Sequence, residues 1–547
     1  MLRDKPFGRL TGILSLLSLC VFLSSCAFMK ATLYDDYIGS ASQEPTADAT
    51  TTIMKAFQIE AEPPEPLPEG PIDVTIENAI LLALENNRSL RVERINPSIQ
   101  QTFEEEERAV FDPEISGSLF GSRERSETRS RTTGAFSDTT SNETAVDLGI
   151  SQFFSTGTEV GVDLSTERAW SDAEKEVHAT RAGLTVTQAL LRGIGPEANL
   201  ANLRQAQLDT LASQYELRGF AESLVALVEE TYWDYILAGR QIEIVTVSLE
   251  LAEQQLGETE ERIKIGTVAE IERAAAQAEI ALRRVNLINA RNALATNRLR
   301  LLRLLNPPGP KLWDREIILR DRPVVPEVIL DEVESHVDVA LRMRPDLNQA
   351  RLEVQSGDLE IIKTKNGLLP VLDLFITLGK TGYADSFGDS VSDIDGKGYD
   401  ISGEISLAYP LRNRGAKASH RRAILDRTQA VEAVDNLAQL VQVDVRAAYI
   451  EVQRAKEQVA ATTASRKLEE EKLRAETEKF RVGRSTTLLV AAAQRDLVIS
   501  QIAEVRAVAD YLKALVNLYR LEGSLLERRG ISAPGREPVD LSIPRKW

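Results

Sequence analysis

Apolar positions along this chain follow two periods, which alternate in blocks. Ile76, Ile80, Leu81 and Leu84 recur at helical spacing. Helix signals begin at Asp73–Val74–Thr75, and the helix is expected to continue past Leu90 to about Ala109, ended by Pro113. Thr75 with Asn78 makes only a partial capping box, because the third position lacks Glu or Gln. Strand-like alternation follows in Ile115–Phe120, Val146–Phe154, Val160–Leu164 and Gly183–Leu191. The Ser/Thr/Arg-rich stretches Ser122–Glu143 and Ser165–Thr180 read as loops between them. From Ala198 to about Lys264 there is no proline and little glycine. A helix of that length reaches roughly 100 Å. Ile265-Gly266-Thr267-Val268 interrupts it, and a second helix runs from Glu270 to Leu305 before Asn306-Pro307-Pro308. The pattern is a helical hairpin with a tight tip.

The same order then recurs. Asn87–Leu90 reads NRSL and Arg344–Leu347 reads RPDL; Leu90 to Pro113 and Leu347 to Pro370 are both 23 residues apart. Strand-like Asp373–Leu378 and Tyr399–Tyr409 enclose a Gly/Asp/Ser-rich loop, Gly379–Gly398. A long helix is expected over Ala416–Phe480, a tip at Val482-Gly483-Arg484-Ser485 and a return helix over Leu488–Leu526. Repeats of this size are an architectural signature. They divide the chain into a first unit, 73–306, a crossover, 307–334, a second unit, 335–527, and a polar tail, 528–547.

This pattern has a physical consequence. A helix of roughly 100 Å cannot bury its own apolar stripe, and a few strands leave two raw edges, which lipid does not tolerate. Both problems disappear if chains close into a ring, so a homo-oligomer is expected, of unspecified number. No interior apolar run is long enough for a membrane helix, so any span must be made of strands.

The start of the chain adds an address. Arg3, Lys5 and Arg9 precede an apolar run, Leu10–Leu23, too short for a mature span. Leu23-Ser24-Ser25-Cys26 resembles the bacterial lipoprotein cleavage and acylation signal. Residues 1–25 then form the signal and 26–72 a Pro-rich tether, with a covalent lipid on Cys26. Cys20 is lost with the signal, so no disulfide remains to the mature chain. By resemblance to such lipoproteins, Ala27 at the second mature position points to the outer membrane.

Composition narrows the chemistry. The formal charge of -18 argues against a nucleic-acid partner. The three histidines are far apart, no Gly-rich phosphate loop precedes a helix, and no His/Cys cluster suggests a metal. Glu104–Glu107 reads as a solvated helix face. No catalytic residue, cofactor or metal site is expected, and the chain is not read as an enzyme.

Taken together, the opening helix Val74–Leu90, the RPDL element and the two tips resemble the TolC-like outer-membrane efflux family over about Thr75 to Leu526. The resemblance implies an α+β membrane protein built from an internal duplication. Three chains would close one outer-membrane β-barrel, continued by a long periplasmic α-helical barrel. It implies an exit duct of a tripartite efflux pump or type I secretion system. The partners would be a periplasmic adaptor (membrane fusion protein) and an inner-membrane RND or ABC transporter, with outer-membrane lipid around the barrel. Carried over by motif, Ile265, Gly266, Thr267, Val482, Gly483 and Arg484 are the adaptor-docking tips. Glu270, Glu272 and Phe480 are candidates for a pore constriction, although repeat two lacks the family's acid and Phe480 stands where relatives use a tyrosine. The simplest members give four strands per chain, and here Val146–Leu164 suggests an extra hairpin around Ser155-Thr156-Gly157, either in the wall or as an external loop. A periplasmic coiled-coil scaffold or adaptor lipoprotein without a pore is the alternative.

Overall fold

A computed structural model describes residues 71–129, 132, 134–172, 175–309, 312–326 and 329–541. The signal, Cys26 and nearly all of the tether lie outside the described residues. The first half runs β1 (Ile72–Val74), α1 (Ile76–Asn86), α2 (Arg88–Glu93), α3 (Asn96–Ala109), β2 (Glu114–Arg129), β3 (Phe136–Phe154), β4 (Thr158–Ser171), β5 (Val177–Ala189), α4 (Ala201–Lys264) and α5 (Ile271–Leu305). A crossover holding β6 (Ile317–Leu319) leads to the second half. That half runs α6 (Val333–Met343), α7 (Pro345–Asn366), β7 (Val371–Ala384), α8 (Phe387–Ser392), β8 (Tyr399–Ala408), α9 (Arg414–Arg481) and α10 (Thr487–Leu521).

Several expectations change. Ile72–Val74 is a strand, paired in parallel with β6 in the crossover. Thr75 is extended and caps α1, its Oγ1 accepting from the Asn78 N–H at 3.3 Å. The single helix expected to Ala109 is three helices. Asn87 leaves the helical region (φ −62°, ψ 123°) because its side chain has better uses. Its Oδ1 accepts from the Leu90 N–H at 3.1 Å and its Nδ2 donates to the Leu304 carbonyl at 3.0 Å. Arg344, at the same place in the second half, has φ −60° and ψ 123° and hands the chain to Pro345 in the first turn of α7.

Six strands form one antiparallel sheet in the order β2-β3-β4-β5-β7-β8. They are much longer than the apolar alternation suggested. Most of Ser122–Glu143 and Ser165–Thr180 is ladder, because backbone pairing continues past the last apolar side chain. Likewise Gly379–Gly398 is not a single loop, since β7 continues to Ala384 and α8 follows. The extra hairpin is in the sheet: β3 pairs with β2 and β4 along its length, so it is not an external loop. Arg344 follows Asn87 by 257 positions but Gly483 follows Gly266 by only 217, so repeat one holds 40 more residues between these landmarks. The β3–β4 insertion accounts for that excess.

Next to the sheet, α3, α4, α7 and α9 lie side by side; toward the tips the row is α9, α10, α4, α5. Helix α10 stops at Leu521, short of the expected Leu526, because Gly523 (φ 70°) turns the chain where an added Cβ would meet the Arg344 backbone at 3.0 Å. One core gathers Val441, Val445, Ala448 and Val452 of α9 against Tyr511, Leu515 and Leu518 of α10. Another packs Val539 of the tail against Leu208, Tyr215, Leu352 and Leu359. The outer helices stay unpartnered, with Val285 and Ile288 of α5 and Val443 and Ile450 of α9 exposed.

Candidate conducting surface and helix tips

Side chains alternate across a strand, so the register assigns every sheet residue to a face. One row on the first face runs Ile115, Ile150, Val162, Leu184, Leu378 and Ile401 across all six strands. Leu148 with Leu164, Val160 with Val186 and Leu372 with Leu407 extend it. These rows have no cover: Ile115 is 78% exposed and Ile401 70%. A contiguous exposed apolar sheet face of this kind marks an interaction surface.

The opposite face is polar. The register places Glu114 and Glu124 of β2, Glu143 and Asp147 of β3, and Glu159, Asp163 and Glu167 of β4 there. Asp373 of β7 and Asp400 and Glu404 of β8 join them. Among the described residues the only cation on this face is Arg181 of β5. Gly183 and Gly379 lie between Asp163 and Asp400 in one row, so nothing stands between the two carboxylates. The Arg181 guanidinium fills that space, 3.0 Å from Asp163 and 2.9 and 3.2 Å from Asp400. A Cβ on either glycine would overlap it. This clamp ties β4 and β5 of the first repeat to β8 of the second. Sequence reading missed it, although the signal was there: acids at every fourth position of a strand, and glycines that meet only once the register is known.

The tips share one geometry. Gly266 has φ 77° and Gly483 φ 76°. The Thr267 N–H donates to the Arg262 carbonyl at 2.9 Å and the Arg484 N–H to the Lys479 carbonyl at 2.7 Å. The Gly266 N–H donates to Ile263 at 2.9 Å and the Gly483 N–H to Phe480 at 3.1 Å. Both are Schellman closures, which need a left-handed residue, most readily a glycine. Ile265, Gly266, Thr267, Val482, Gly483 and Arg484 are all exposed. Arg262 of α4 places its guanidinium carbon 4.3 Å from the Phe480 ring centroid of α9, so a cation–π contact joins the two tips. Glu270 is at the N-cap position of α5 and its carboxylate is engaged by Arg273. Glu272 is half-buried and has no ion pair among the described residues.

Nothing in the described residues groups three or more potential metal ligands. Glu104 bonds Arg108 and Gln207, as a helix face does. No described helix is long and apolar enough to cross a membrane.

No curated protein sequence matches the chain. Its fold is similar to a membrane protein from Pseudomonas aeruginosa, with 19% identity over 82% of this chain and 93% of that one and a TM-score of 0.62. It is also similar to the outer-membrane channel OprN (17%, 82% and 90%, TM-score 0.63). The Campylobacter jejuni CmeC outer membrane channel is a third match (16%, 82% and 86%, TM-score 0.62). The model of the family described as outer membrane efflux protein matches residues 157–307 and 337–524, both halves of the duplicated pattern. The two-faced sheet, the paired tips and this match agree: the chain belongs to the TolC-like outer membrane efflux protein family.

Proposed function

We propose that this chain is the outer-membrane exit duct of a tripartite efflux pump or type I secretion system, and that it conducts cargo passively. The observation that carries this reading is the sheet itself. One face is apolar and bare, the other is acidic, and the outer edges of β2 and β8 have no partner in the chain. Unpaired strand edges in lipid are costly, so copies must close edge to edge. The bare stripes of α5 and α9 call for the same neighbours. Three copies, as in the family, would make an outer-membrane barrel with a helical tunnel in the periplasm. The tips around Gly266 and Gly483 would meet a periplasmic adaptor, which links the duct to an RND or ABC transporter in the inner membrane. The apolar face would contact outer-membrane lipid, with an acylated Cys26 as a second anchor. Glu272 and the Arg262–Phe480 pair would line the narrow end. No reaction is assigned to the chain.

Mass measurement of the full-length protein in detergent tests the assembly. A stable trimer that inserts into bilayers and conducts ions is expected. A folded monomer that needs no detergent would overturn the duct and favour a scaffold.

A further inference from the structure

We infer that the β3–β4 hairpin widens the barrel until it no longer limits cargo size. The barrel end then passes hydrated solutes about 20 Å across, cationic or neutral ones in preference to anionic, and sizing is left to the helix tips. This rests on the trimeric duct proposed above.

Width follows from strand number. The aliphatic band reaches Leu119 on β2 but stops at Ile401 on β8, in the row of Ile115, with Tyr399 beyond it. Four residues of drift over five strand steps correspond to a strand tilt of about 30°, close to the 35–45° of closed barrels. Three chains of six strands, about 4.8 Å apart and tilted by about 35°, give a perimeter of about 105 Å and a backbone diameter of about 34 Å. Allowing about 5 Å of side chain on each wall leaves a lumen of about 24 Å. Twelve strands would leave about 12 Å by the same estimate.

Three observations keep that lumen open. Along its middle rows the polar face is lined by small residues, Ser116, Gly149, Gly161, Thr185, Thr377 and Ser402 among them, with the larger Phe120, Phe153, Phe375 and Tyr383 in rows above and below. Only residues 130–135 and 172–176 connect the strand tips of the first repeat. The longer β7–β8 connection lies on the other side: Ser390 of α8 bonds Thr180 at 2.7 Å, and its carbonyl occupies the place of a Cβ on Gly382. Thr180 and Gly382 pair on the apolar face, so α8 packs outside the wall.

The helices agree in scale. Four helices side by side, each about 9–10 Å wide, cover about 40 Å per chain. Six tilted strands cover about 35 Å and four only about 23 Å. The six-stranded wall therefore meets the helical wall without a large step. The surplus of acids on the polar face supplies the charge preference, because convergent charge in a confined passage repels like charge.

The test uses full-length Thr377→Cys protein in lipid vesicles, labelled from the outside with a small maleimide and with a maleimide-bearing polymer about 20 Å across, the width inferred above. Particle mass is measured first, so a failure of the trimer is seen separately and removes this inference with it. In the trimer, both reagents should label. Deleting residues 135–172 joins β2 to β5; polymer labelling should then fall by about tenfold while the small reagent still labels. If that deletion does not assemble, Gly161→Trp narrows the same lumen at a site where an added Cβ makes only ordinary contacts, and should also reduce polymer labelling. Neutral and cationic polymers should label several-fold faster than an anionic one. A full-length trimer that excludes the neutral polymer while admitting the small maleimide would overturn the inference.

Discussion

Arg218 is fully buried on α4 and shared by two carboxylates. Glu222, one turn on, is 3.4 Å away, and Glu527 approaches from the turn after α10. Arg529 likewise reaches back to buried Glu229, with Nε 2.7 Å from its carboxylate. These pairs hold the C-terminal segment against α4. Burial pushes Glu222 up to about 8, against the opposing pull of Arg218. The sign follows directly: a carboxyl with a raised folded pKa keeps a proton that the unfolded chain releases. Its contribution is greatest below pH 4.5 and is lost as pH rises toward about 8. Glu222→Gln should flatten that slope and gain about 1–3 kcal/mol relative to wild type at the alkaline end. Thermal unfolding in detergent across this range is the measurement; an unchanged slope would refute the assignment. None of this was legible in the sequence, where Glu222 is one acid among many on a helix.

At the scale of elements, the tips show how a local motif becomes a surface. Gly266 and Gly483 were visible as interruptions of helical periodicity, and the structure supplies their left-handed backbone and matched hydrogen bonds. No atom lies within 4 Å of a Cβ built on either glycine. Substitution there therefore acts through the backbone and the exposed surface, not through a clash within the chain. The double variant Gly266→Val, Gly483→Val should cost about 1–2 kcal/mol locally at each tip and abolish adaptor crosslinking with the barrel still folded. The Asn versions, which tolerate this conformation, should retain most of the crosslinking. Full crosslinking in the Val variant would remove the tips as the docking site. The strands were less legible. Their apolar cores stood out, but the polar ends joined the ladder because strand length is set by pairing partners as much as by hydropathy.

For the whole molecule, the anchor and the wall are separable. A lipid on Cys26 would hold one end, whereas the apolar sheet face would hold the assembled ring. Labelled palmitate should enter the wild-type protein and be absent from Cys26→Ala, while the variant still assembles and stays with the outer membrane. Persistent labelling would rule out Cys26 as the acylated residue. Loss of assembly would instead mean that the tether contributes to closure.

Local signals in the sequence determined the duplicated order of elements, the long helices, the tip glycines and the family. Each depends on periodicity, on residues that break it, or on spacing between landmarks such as Asn87 and Arg344, and those are properties of neighbours along the chain. Tertiary structure alone decided that β3 and β4 belong to the sheet, that Asp163, Arg181 and Asp400 form one clamp, and that Glu527 and Arg529 meet α4. These are contacts between distant residues, set by strand register and helix packing. A one-residue slip would turn the acidic face into the apolar one without changing the composition.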